Sequence, residues 1–143
     1  NVLFVNNATL AGHVTIDDFA IVGAFSTVHQ FCHIGEYSFL ARATQANRDV
    51  PPYMMVVGTP GKSCGLNLVG LRRHGFNRDA IRALKMAYSL LYGRDISLND
   101  ALDQILALGP HPELRRLVDF IRQSKRGISR RTVDDSSSVT ESP

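Results

Sequence analysis

The stretch Phe4-Val5-Asn6-Asn7-Ala8-Thr9-Leu10-Ala11-Gly12-His13-Val14-Thr15-Ile16 sets a rhythm that the next thirty residues keep: Phe4, Leu10, Ile16, Val22, Val28, Ile34, Leu40 and Ala46 are apolar and six apart, with no insertion between them. An amphipathic helix repeats near 3.6 residues and a half-buried strand at 2, so a sustained period of six calls for a solenoid of stacked coils. A second inward position follows four residues after each aliphatic: Ala8, Val14, Ala20, Ser26, Cys32, Ser38, Thr44 and Val50, all small or β-branched. Burial is therefore expected for Leu10, Ile16, Val22, Val28, Ile34 and Leu40, with Cys32 in the same core.

Such hexapeptide repeats resemble those of the left-handed parallel β-helix, in which three hexads form the three sides of a triangular coil and residues 18 apart lie above one another. Left-handed crossovers are otherwise rare between parallel strands, so the hand is implied by the resemblance. Eight hexads, residues 4–51, amount to under three coils. A solenoid unit cannot bury its own end, and arrays need several repeats and caps; the chain is thus expected to be the C-terminal part of a longer one.

Beyond the repeat, Val50-Pro51-Pro52-Tyr53 breaks the pattern, Met54 to Val57 reads as a last strand, and Gly58-Thr59-Pro60-Gly61 is a turn. The periodicity then becomes helical. Asn77 is an N-cap, with Ile81, Leu84, Tyr88 and Leu91 on one face and Gly93 as the stop. Ser97-Leu98-Asn99-Asp100 has the form of a capping box and opens a second helix through Leu102, Ile105 and Leu106 to Gly109. Pro112 begins a third, with Leu114, Leu117, Val118 and Ile121 inward and Lys125-Arg126 near its end. The expected organisation is mainly β with α: β-helix coils and terminal strand over 1–62, a helical subdomain over 63–131, and a Ser-rich acidic tail over 132–143 that reads as unstructured.

Charge is segregated along the chain. Residues 1–62 carry 3 basic and 4 acidic side chains, residues 63–131 carry 13 and 6, and the tail carries 0 and 3. A basic half beside a neutral solenoid points to an anionic partner. Nucleic acid is disfavoured, because few aromatics accompany the charges and no recognised module is present. Cys32 reads as core and Cys64 as a thiol after a turn, which gives neither a disulfide framework nor a metal site. No apolar run of about 20 residues could span a bilayer, no leader is read before Asn1, and a reducing cytoplasm is the expected compartment.

Overlaying residues 18 apart puts Gly12 over Gln30, Ala11 over His29 and His13 over Phe31, gathering two histidines, a glutamine and a bare backbone on one face of two coils. These residues, with Asn6 to Val14, Val28-His29-Gln30-Phe31, Asp49-Val50-Pro51-Pro52-Tyr53 and Asn67-Leu68-Val69-Gly70-Leu71-Arg72-Arg73-His74-Gly75-Phe76, resemble the C-terminal half of the UDP-N-acetylglucosamine acyltransferases of lipid A biosynthesis. The resemblance covers Asn1 to about Arg130. It implies transfer of an (R)-3-hydroxyacyl group from acyl carrier protein to the 3-hydroxyl of UDP-N-acetylglucosamine, by a homotrimer with sites between neighbouring β-helices and without a cofactor.

Such a transfer needs a base for the sugar hydroxyl and a donor for the thioester oxyanion. By resemblance, Gly12 supplies the oxyanion N–H, His13, His29 and Gln30 bind the sugar, Asn67 lies on the uridine side and Arg73 meets a phosphate, where a guanidinium fork is apt. The general-base histidine belongs one coil before His13 and is absent from the chain, so the polypeptide alone is expected to be inactive. Val69 stands where an acidic residue often occurs. Arg42 stands where some members have glycine: its bulk either shortens the acyl chain accepted or snorkels into solvent and leaves the groove open. A reading of another class is a non-catalytic trimerising scaffold that docks an acidic protein through its basic helices.

Overall fold

A computed structural model describes residues 1–93 and 95–129; the tail expected over 132–143 lies outside the described residues. The period-six segment is a left-handed parallel β-helix of about three coils. Its strands are β1 (Leu3–Phe4), β2 (Thr9–Leu10), β3 (Thr15–Ile16), β4 (Ile21–Val22), β5 (Thr27–Val28), β6 (His33–Ile34), β7 (Phe39–Leu40) and β8 (Gln45–Ala46). Sides stack in parallel with an 18-residue offset: Phe4 on Val22, Leu10 on Val28 and Ile16 on Ile34.

Each strand is two residues long, so a four-residue corner must turn the chain quickly. One corner residue per hexad adopts positive φ, and none of them is glycine: Asn7, His13, Phe19, Phe25, Phe31, Tyr37 and Ala43 lie between +55° and +65°. Left-handed backbone at bulky residues carries a cost. Stacking of the corner side chains offsets it, with Phe19 and Tyr37 rings 5.0 Å apart and His13 and Phe31 rings 5.0 Å apart.

Val22, Val28, Ile34, Leu40 and Cys32 are buried as expected, but Leu10 is 38% exposed and Ile16 only half-buried. The reason is positional: they belong to the first coil, on whose outer edge no described residue stacks. The polar members of the second inward set bury their hydroxyls at no loss, because each finds backbone. Ser26 Oγ donates to Ala41 O and accepts from Thr44 N, Ser38 Oγ donates to Gly35 O, and Thr44 Oγ1 donates to Val56 O.

The strict repeat ends one hexad sooner than read. The third coil pairs Ile34 with Val50 and Leu40 with Val56, a spacing of 16 instead of 18. Two residues are missing from the corner after Ala46, and Val50 occupies the large aliphatic position, not the small one. The terminal strand β9 (Met54–Val57) is joined by β10 (Lys62–Leu66), which pairs with it antiparallel through a bulge. The sequence gives no alternation over 62–66 to announce β10, and the expected boundary after residue 62 falls inside that hairpin.

Four helices follow among the described residues: α1 (Leu68–Arg73), α2 (Arg78–Leu91), α3 (Leu98–Leu106) and α4 (Pro112–Gln123). The short α1 was not among the expected elements. The other three start where their caps lie. Asn77 Oδ1 accepts from Ala80 N, Ser97 Oγ accepts from Asp100 N, and Pro112 opens α4. Their apolar faces meet in a second core of Leu84, Leu102, Ile105, Leu114, Leu117 and Val118, which also takes in Tyr53, Met54 and Leu71 from the coil end.

Candidate functional site

Three corners of the triangle carry the residues singled out from the sequence. At the first (residues 23–26 and 41–44) the Arg42 guanidinium lies over the Phe25 ring, 5.5 Å from its centroid, and both side chains are exposed. At the second (11–14 and 29–32) sit Gly12, His13, His29 and Gln30, all exposed. At the third (17–20, 35–38 and 51–53) the aromatic ladder of Phe19, Tyr37 and Tyr53 receives His74 and Phe76, with His74 4.7 Å from Phe19 and 5.1 Å from Tyr37. Arg73 precedes His74 at the end of α1 and is exposed.

The second corner is built as the 18-residue overlay requires. Phe31 N donates to Gly12 O, while among the described residues no partner takes the Gly12 N–H. A Cβ added to Gly12 would meet only Gln30 Nε2, at 3.8 Å, an ordinary contact. Gly23 is different, since there a Cβ would lie 2.4 Å from Leu40 O. Packing explains the glycine at 23 and does not explain the one at 12. His13 is held flat on Phe31, with 7° between the rings.

His29 has a neighbour that no sequence signal announces. Arg126 arrives from beyond α4, and its Nη2 stands 3.3 Å from His29 Nδ1 and 3.3 Å from Asn47 O. The segment bearing it closes the shortened corner. Asp49 N donates to Gly127 O, Ser129 N donates to Asp49 O, and Arg48 Nη1 donates to Arg126 O. Buried Asp49 fastens the arrangement by accepting from His33 N at 2.8 Å and from Ser124 Oγ at 2.6 Å. Burial pushes the neighbouring Cys32 thiol up in pKa, opposed in part by the Arg126 guanidinium.

At the third corner, Asn67 is the N-cap of α1 and almost wholly buried. Its Oδ1 accepts from Gly70 N and its Nδ2 donates to Tyr37 O. The amide thus fixes α1, and with it Arg73, to the aromatic ladder. Val69, in the same helix, is 60% exposed. Within one chain, then, Gly12, His13, His29 and Gln30 come together, whereas Asn67 and Arg73 occupy a different vertex. No described group of three or more His, Cys, Asp or Glu side chains could hold a metal, and no helix among the described residues is long and apolar enough to cross a membrane.

The family description "Udp N-acetylglucosamine O-acyltransferase; Domain 2" matches residues 49–129, from the buried aspartate through the closing segment. The chain belongs to the UDP-N-acetylglucosamine O-acyltransferase family. The acyl-[acyl-carrier-protein]–UDP-N-acetylglucosamine O-acyltransferase of Alkalilimnicola ehrlichii is 47% identical over 131 residues, which are 91% of this chain and 51% of that protein. That of Aliivibrio salmonicida is 44% identical over 131 residues, 91% and 50% of the two chains. The solved UDP-N-acetylglucosamine O-acyltransferase of Moraxella catarrhalis RH4 superposes with a TM-score of 0.86 at 40% identity, over 90% of this chain and 51% of that one. The chain spans about half the length of the acyltransferases it matches.

Proposed function

We propose that this chain is the acceptor-binding portion of an enzyme that transfers an (R)-3-hydroxyacyl group from acyl carrier protein to the 3-hydroxyl of UDP-N-acetylglucosamine, the first step of lipid A biosynthesis. In that step the sugar oxygen attacks the thioester carbonyl, the C–S bond breaks, and the hydroxyl proton passes by way of a general base to the departing thiolate. Gly12 carries the reading. Its N–H has no partner among the described residues, as at the equivalent corner positions Asn6, Asp18, Ala24, Gln30, Glu36 and Arg42, but it alone of these is glycine and so leaves the donor bare to a developing oxyanion. His13, Gln30 and His29 surround it with groups that can orient a sugar.

The nucleotide half is assigned to Arg73 at the third corner, with Asn67 holding α1 in place. A direct uridine contact by the Asn67 side chain would draw on an amide already engaged at both ends. The two corners are different vertices of one triangle, and by resemblance one substrate bridges them from neighbouring copies. A heterologous contact between copies closes into a ring when its rotation permits, and the homotrimer is what the family resemblance implies. The acyl chain would run along the β2–β5–β8 side from Gly12 towards Arg42. The basic helical half suits an anionic partner, here the acyl carrier protein, and the cytoplasm is the compartment that fits these substrates.

By resemblance the general base is a histidine one coil before His13, at a position that residues 1–143 do not include. Incubation of the purified polypeptide with hydroxyacyl carrier protein and UDP-N-acetylglucosamine should give no turnover, because base catalysis typically contributes about 10² to 10⁴ in rate. Turnover abolished by His13→Ala would make His13 the base and overturn these roles.

A further inference from the structure

We infer that Arg126 is a positioning residue for His29: it holds the imidazole as the neutral Nε2–H tautomer, so that His29 meets the substrate as a hydrogen-bond donor to a sugar hydroxyl or acetamido carbonyl oxygen. This rests on the reading of His29 as a sugar contact. A guanidinium has five N–H donors and no acceptor. With Arg126 Nη2 3.3 Å from His29 Nδ1, a hydrogen bond forms only if Nδ1 presents its lone pair, and the ring proton then resides on Nε2.

A competing acceptor stands nearby, since Gln30 O lies 3.4 Å from the same Nδ1 and would be served by Nδ1–H. The contact with Arg126 prevails on two grounds. It is charge-assisted, and bonds with an ionised partner are roughly twice as strong as neutral ones. The opposite tautomer would also aim an N–H at a cation held in place: Arg126 is tied by Nη2 to Asn47 O and by its own carbonyl to Arg48. Among the described residues nothing engages His29 Nε2, so that nitrogen remains available to a ligand. The two-residue shortening of the corner thereby acquires a use. There, two coils above Gly12, the segment after α4 reaches the solenoid surface and delivers a fixed cation to a residue 97 positions earlier on the coil between.

Nitrogen-15 NMR of histidine-labelled protein reads the tautomer without any ligand. In the unaltered chain at a pH where His29 is neutral, its Nδ1 should resonate in the unprotonated range and its Nε2 in the protonated range. Arg126→Met keeps much of the apolar stem but removes the donor, and it should move Nδ1 towards the protonated range. Ser124→Ala removes the hydroxyl bond to Asp49 but keeps the ties of Arg126 to Asn47 and Arg48, and it should leave the ring unchanged. An Nδ1–H tautomer in the unaltered chain, an unmoved ring in Arg126→Met, or an equal shift in Ser124→Ala would each overturn the assignment. Addition of UDP-N-acetylglucosamine separates the two readings. A ligand that perturbs nothing on this face counts against the sugar-binding role and leaves the tautomer result standing.

Discussion

Replacing Asp49 by alanine should destabilise the fold by about 2–4 kcal/mol, the scale of losing two hydrogen bonds to a charged acceptor that share one carboxylate. The residue is 4% exposed and accepts from His33 N at 2.8 Å and Ser124 Oγ at 2.6 Å. Alanine would leave the first of these donors without a partner and release the second, so the short corner and the segment after α4 would loosen together. Asp49→Asn separates the effects. Its amide oxygen still accepts from His33 N, and the Ser124 hydroxyl can turn to accept from the amide nitrogen, so the cost should fall to about 1 kcal/mol, as for a neutral bond in place of a charged one. Urea unfolding followed by circular dichroism measures all three proteins, with the midpoint at constant slope giving the difference. A cost for Asp49→Ala below about 0.5 kcal/mol, the range of an ordinary surface change, would refute the claim that this carboxylate fastens the corner.

Glycine substitutions should divide by place. Gly23→Ala puts a Cβ 2.4 Å from Leu40 O on the next coil and should cost at least about 2 kcal/mol, whereas Gly12→Ala, with open space, should stay within about 0.5 kcal/mol; equal denaturation midpoints for the two would contradict the packing described. Iodoacetamide followed by mass spectrometry should modify exposed Cys64 and spare buried Cys32 until the protein unfolds, and native labelling at Cys32 would disprove its place in the core. In the enzyme of full family length, Arg42→Gly should shift preference towards longer hydroxyacyl donors if this side chain limits the groove. Unchanged preference would assign Arg42 to its stacking on Phe25.

The sequence was most legible where one period ruled. The 18-residue overlay located Gly12 beneath Gln30 and His13 on Phe31; Phe31 N donates to Gly12 O at 3.1 Å, and the His13 and Phe31 rings stack 5.0 Å apart. It failed where burial or register depends on something other than the repeat. Leu10 and Ile16 have the pattern of core residues, but a solenoid side chain is buried only by the coils above and below it. The short corner at Asn47-Arg48 carries no punctuation, because Val50 fits either inward position. Arg126 carried no signal, since only tertiary packing brings it to His29 across 97 positions. The helices were readable at their starts because Asn77, Ser97 and Pro112 act locally. The aromatic ladder was open to the same overlay, as Phe19 and Tyr37 are 18 apart, and its role in seating α1 came from the fold.

The sharing of one substrate site between copies is tested most directly by mixing two inactive halves. Arg73→Ala disables the third corner and Gln30→Ala the second, and each variant alone should bind UDP-N-acetylglucosamine far more weakly than the unaltered chain in titration calorimetry. Co-refolded in equal amounts, the two should assemble hybrid rings in which about a quarter of the contacts join an intact second corner to an intact third corner, as random cyclic assembly requires. Recovery of that fraction of tight sites is the expected result; hybrids that bind no better than either variant alone, beside an unaltered chain that binds well, would contradict a site built between copies.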